Sequence, residues 1–200
     1  MSMDSFDAAV VGAGPNGLAA ALALQATGRT VVVYESRARA GGGMWTEELT
    51  LPGFRHDTCS AIHPMAAASP FLRTLPLGEH GLEWVHPDIP LAHPLDDGRA
   101  VFLHRSVAKT AAALGADEKA YRRLIQPLVD GWPTLVRAGM GPPRLPDAPL
   151  LMARFGAAAA LPTTFLARTW FSAEPARALL AGLAAHSVLP LEHTPSAAKI

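Results

Sequence analysis

Residues 12–17 read Gly-Ala-Gly-Pro-Asn-Gly and lie between a short β-branched run and an Ala/Leu-rich stretch. No other feature of the chain constrains its fold as tightly. Residues 5–11 (SFDAAVV) predict a buried strand that ends in the glycine cluster. Residues 15–27 (PNGLAAALALQAT) predict a helix. Pro15 suits its first turn, where the missing N–H would be unpaired anyway, and Gly28 is a natural stop. Residues 30–34 (TVVVY) predict a second buried strand, with Glu35 at its end. Strand, glycine turn, helix, glycine turn and strand within about 30 residues make a βαβ unit, whose strands run parallel.

Each glycine of the cluster has a mechanical reason. Gly12 allows the tight turn, and Gly14 lets a pyrophosphate approach the backbone without striking a Cβ. Gly17 lets the helix pack closely on the strands, and the small Ala21 continues that contact. The helix N-terminus offers unpaired N–H groups and a positive dipole end to phosphates. Glu35 closes the second strand, where its carboxylate can accept hydrogen bonds from a ribose hydroxyl pair. A dinucleotide site is expected here, against the alternative that the glycines only shape a turn. Glu35 disfavours NADP, whose 2′-phosphate would meet a carboxylate at close range, but this pattern alone does not separate FAD from NAD.

Composition narrows the class further. Seventeen Lys and Arg balance 17 Asp and Glu, which removes the basic excess expected of a nucleic-acid binder. Half the residues are hydrophobic and 17% are charged, so the chain can bury a core and is not intrinsically disordered. The single cysteine, Cys59, cannot form an internal disulfide, and a reducing cytoplasmic location is expected. The start, Met1 to Asp7, is acidic where an export leader would be basic. Between Asp7 and Arg29 no charge occurs, but glycines, Pro15, Asn16 and a change of period rule out a membrane span.

Beyond residue 40 regular signals thin, and residues 41–98 suggest loops and extended segments over a site. Residues 99–104 predict a strand after the turn Asp96-Asp97-Gly98. Residues 106–114 predict a helix capped by Ser106. Asp117 is a candidate cap for a longer helix over 118–136, with Tyr121, Leu124, Ile125, Leu128 and Leu135 on its apolar side and a kink at Pro127. After the Pro-rich break at 141–149, helices are expected near 148–160 and 172–186, the last starting at Ser172 and Glu174-Pro175. The fold class is α/β: a Rossmann-like half-domain with a βαβ start over 1–98, then a mostly helical part of a substrate domain over 99–200.

The residues after the βαβ unit carry a resemblance. Gly41-Gly42, then Thr46, resemble the second glycine motif of the FAD-dependent amine oxidase and phytoene desaturase superfamily. Trp45-Thr46-Glu47-Glu48, Pro52-Gly53-Phe54 and Asp57 are similar to its bacterial phytoene dehydrogenase-related branch. The resemblance covers residues 7–60 and becomes diffuse afterwards. It implies an FAD cofactor, with Glu35 on the adenosine ribose and Gly41-Gly42 along the dinucleotide. Cofactor contacts are expected at Gly12, Gly14, Pro15, Asn16, Gly17, Glu35, Ser36, Arg37, Gly41, Gly42 and Thr46. Many members have a basic residue directly after the glycine pair, where this chain has Gly43. Family members are also much longer, so an N-terminal portion of such an enzyme is expected. The implied activity is dehydrogenation of a C–C or C–N bond by hydride transfer to flavin. An NAD-dependent dehydrogenase and a non-catalytic dinucleotide-binding module are the alternatives.

No catalytic acid or base stands out. The eight histidines show no metal-ligand spacing and read as solvated or core residues, though His56 and His63 follow the glycine motifs closely enough to approach the flavin ring. Cys59 reads as a buried, inert thiol, and Ser60 lacks a hydrolase context. Glu47-Glu48, Asp96-Asp97 and Asp117-Glu118 read as solvated turns and helix starts. Arg37 and Arg39 suit either a pyrophosphate or a solvated loop, and Trp45 reads as core. The apolar helices of 148–186 suit a lipophilic substrate channel, peripheral membrane contact or an ordinary core.

Overall fold

The computed structural model of the chain describes residues 5–143 and 145–199; the acidic residues 1–4 of the start lie outside them. The chain forms two compact units, Met1–Leu82 and Glu83–Ile200. The expected boundary at 98 would cut the hairpin of the second unit, whose two strands share one ladder.

In the first unit, β1 (Ala8–Val11), α1 (Pro15–Gln25) and β2 (Val31–Tyr34) form the βαβ unit. The strands pair in parallel with Ala8 opposite Val31 and Val11 opposite Tyr34. Asp7 fixes that register from one end, its carboxylate accepting the Thr30 N–H and hydroxyl at 2.8 Å each. At the other end Gly12 N–H donates to the Tyr34 carbonyl at 2.7 Å. Pro15 opens α1 as expected, and the chain leaves it through Gly28 at a φ of +82°. A two-residue hairpin, β3 (Thr46–Glu47) against β4 (His56–Asp57), follows. A single short helix, α2 (Pro64–Ala68), comes after it.

The second unit holds almost all of the core. Its hairpin pairs β5 (Leu91–Pro94) with β6 (Ala100–Leu103) through the expected turn at 96–98. Helices α3 (Val107–Ala113), α4 (Glu118–Asp130), α5 (Trp132–Met140), α6 (Pro149–Ala159), α7 (Thr163–Trp170) and α8 (Glu174–Ala184) complete it. Leu114, Tyr121 and Leu124 bury against Leu166, Phe171, Leu179 and Leu180. Ser106 caps α3 as expected, accepting the Lys109 N–H at 3.2 Å.

Two local expectations are corrected. The helix over 118–136 runs through Pro127 and breaks at Gly131. A Cβ on Gly131 would meet the Leu151 side chain and, at 3.1 Å, the Pro127 carbonyl, so packing places the break there. Asp117 does not cap α4. Its carboxylate instead accepts the Ser172 N–H, the Ser172 hydroxyl and the Ala173 N–H, each at 2.8 Å, ahead of α8.

No single described helix is long and apolar enough to cross a membrane. Helices α6 and α7 would pass that test only as a pair, and they bend by 106° at the break between them.

Candidate dinucleotide site

The site grows from the turn between β1 and α1. Gly12 adopts a φ of +95°, in the left-handed region that L side chains avoid. Gly17 stands so close to the turn that a Cβ would run into the Gly12 carbonyl oxygen. Gly14 is different. A Cβ there would meet only the Gly42 Cα, at an ordinary 3.7 Å, and its φ of −75° suits any residue. The fold therefore does not require glycine at 14, whereas a phosphate resting on the bare backbone does.

Two more segments converge on this turn. Gly41 N–H donates to the Ala13 carbonyl at 2.9 Å. Gly42 packs backbone to backbone on Gly14, where a Cβ on Gly42 would lie 2.9 Å from the Gly14 Cα. The two glycine motifs thus form one cradle. Glu35 ties it to the end of β2: Ala13 N–H donates to Oε2 at 2.7 Å, and Arg37 N–H to Oε1 at 2.9 Å. The N–H groups of Arg37 and Ala13, in that order, hold the Glu35 carboxyl below the usual carboxylate range despite desolvation.

The other expected site residues divide. Pro15 stands 3.5 Å from the Cβ position of Gly42, Asn16 is exposed at the start of α1, and Ser36 donates to Glu35 Oε1 at 3.3 Å. The Arg37 guanidinium lies over the Trp45 ring, 5.2 Å from its centroid. The Thr46 hydroxyl donates to Asp57 across the β3–β4 hairpin at 2.7 Å.

His56 bonds Thr50 at 2.8 Å, and His63 bonds Ser60 at 3.2 Å. Cys59 is exposed rather than buried, because the segment around it runs along the Gly41–Gly43 turn, where the first unit has little core. Trp45 is half-buried rather than core, with arginines over its ring. Arg39 forms an ion pair with Glu47. Among the described residues no group of three or more His, Cys, Asp or Glu could hold a metal ion.

The contact of Gly42 with Gly14 was not legible from spacing, although the glycine pair itself was the signal. The β1–α1–β2 fold is Rossmann-like, and residues 10–75 match the NAD(P)-binding Rossmann-like domain family. Pyridine nucleotide-disulfide oxidoreductase domain-containing protein 2 of Rattus norvegicus is 33% identical, over 95% of this chain and 39% of its own length. One of the limonene dehydrogenase polypeptides of Castellaniella defragrans is 33% identical over 54% of this chain and 19% of its own. A structure of putrescine oxidase bound to putrescine shares the fold, with a TM-score of 0.59 and 24% identity over 96% of this chain and 40% of that one. The chain spans about two fifths or less of the length of these relatives.

Proposed function

We propose that this chain supplies the cofactor-binding part of an FAD-dependent oxidoreductase that dehydrogenates a C–C or C–N bond of a small, lipophilic substrate. The observation that carries the reading is the open backbone over Gly14, framed by Gly42, by the start of α1 and by the Glu35 carboxylate. Asn16 and Gly17 N–H groups, at the positive end of α1, would face the diphosphate. Glu35 would accept from the adenosine ribose on the lone pair that Ala13, Arg37 and Ser36 leave free. Bound flavin supplies the hydride acceptor, while the protein binds, orients and excludes water. The first unit is assigned to the cofactor and the helical unit to substrate contact. A cytoplasmic location fits the lone thiol, exposed at Cys59.

Equilibrium dialysis of the whole chain against FAD tests this. Wild-type protein should bind FAD. Gly14→Ala should keep the fold yet lose at least about tenfold in affinity, the equivalent of one charge-assisted hydrogen bond. Binding of NADH without flavin would establish the nicotinamide alternative instead, and no binding of either would leave a non-catalytic module. A Gly14→Ala protein that binds FAD as the wild type does would remove the cradle from the argument.

A further inference from the structure

Trp45 holds together more of the candidate site than its position in the sequence suggests. Its Nε1–H donates to the Ala40 carbonyl at 2.9 Å. A Cβ on Gly41 would collide with its ring. Two guanidinium groups cover the indole, with Arg37 at 5.2 Å and Arg39 at 4.3 Å from the centroid. Arg39 is also ion-paired with Glu47 on β3, whereas among the described residues the Arg37 guanidinium has no carboxylate within ion-pair distance. The Trp45 carbonyl accepts the Thr58 N–H at 2.8 Å. One side chain and its backbone thus join the 35–39 strap, the Gly41–Gly42 turn and the β3–β4 hairpin.

We propose that Trp45 is a positioning residue of the dinucleotide cradle, holding the Arg37–Arg39 strap and the glycine pair in their binding arrangement before a ligand arrives. The inference rests on the dinucleotide reading above. Ala38, Ala40 and Gly41–Gly43 have almost no side chain with which to fix their own backbone. Without a ring to pack on, that segment would have to be ordered by the ligand, at a cost in conformational entropy. Two like charges side by side would also splay apart unless the π-face and Glu47 offset their repulsion. Trp45 therefore acts through Gly41 and Gly42, which stand against Gly14.

The test measures ADP and FAD binding to the whole chain alongside hydrogen exchange of residues 36–44. Trp45→Ala should weaken ADP about tenfold and speed exchange across 36–44 in the absence of nucleotide, since both cation–π contacts are lost. Trp45→Phe, which keeps a ring, should stay within about threefold of the wild type. Should Trp45→Ala fail to fold, Arg39→Ala gives the same test more gently, because it removes one contact and the Glu47 ion pair and should raise exchange in the same segment. Unchanged ADP affinity and exchange in Trp45→Ala, or damage by Trp45→Phe equal to that by Trp45→Ala, would overturn the proposal. Wild-type protein that binds neither ADP nor FAD would overturn it together with the dinucleotide reading, which separates the two failures.

Discussion

The Glu35 carboxylate closes the glycine turn onto the end of β2 by taking the Arg37 N–H on one oxygen and the Ala13 N–H on the other. Ala13 is 4% exposed, so water cannot readily replace the carboxylate there. These donors lower the Glu35 pKa, so their contribution is complete above the ordinary carboxylate range and is lost as pH falls through the depressed folded value. Dinucleotide affinity should accordingly hold from neutrality down to that range and fall below it. Glu35→Gln should bind more weakly at neutral pH and lack this acid limb, having no proton to gain. ADP titrations of both proteins across pH check this, and an identical acid limb in the two would assign it elsewhere. Asp7, also held low by Thr30, is a second group of the first unit that protonates there. At this scale the glycines at 12 and 17 were legible because their need is local: one φ, one carbonyl. Gly42 was legible only as part of a pattern, since its reason is a residue 28 positions earlier in the chain, Gly14.

Among the elements, the strands and helix of the βαβ unit follow from apolar runs and punctuation alone. Helix α7 and strand β5 did not stand out in the sequence, because α7 begins after Pro162 without a side-chain cap and β5 reads Leu-Ala-His-Pro. The anchor of the segment ahead of α8 was hidden for another reason. Asp117 stands 55 residues before Ser172, and a carboxylate's choice among N–H groups is settled by tertiary packing. Asp117 is 2% exposed, and although burial raises its pKa, the donors from Ser172 and Ala173 outweigh that and lower it. Asp117→Ala should cost about 2 kcal/mol, because the Ser172 and Ala173 N–H groups lose their acceptor. Urea unfolding with an unchanged m-value checks the figure. Helix α8 supplies a second prediction with an inverted sign. Gly182→Ala ought to stabilise a helix by up to about 1 kcal/mol on propensity. Here the His93 ring occupies the place of that methyl group, so the substitution should lower the unfolding midpoint instead.

Across the whole molecule, burial is divided unequally. Ala13 is the one buried hydrophobic residue described in the first unit, while the others, from Val101 to Ala197, belong to the second. Val11 on β1 is 86% exposed, although a parallel strand ordinarily has both faces covered. Charge balance and composition could say that a core exists, but not which part of the chain owns it, because that depends on which apolar faces meet. Native-state hydrogen exchange should therefore find the amides of β1, α1 and β2 opening at lower free energy than those of α4, α7 and α8. FAD should slow exchange in the first set and leave the second nearly unchanged. Uniform protection across both units would contradict this division.

Gly17 has a consequence at the level of the gene. Every amino-acid replacement reachable from a glycine codon by one base change brings in a β-carbon, and at this position that carbon strikes the Gly12 carbonyl. Residue 17 thus has no adjacent step in sequence space that leaves the turn as it stands, since each would have to displace the Gly12 carbonyl.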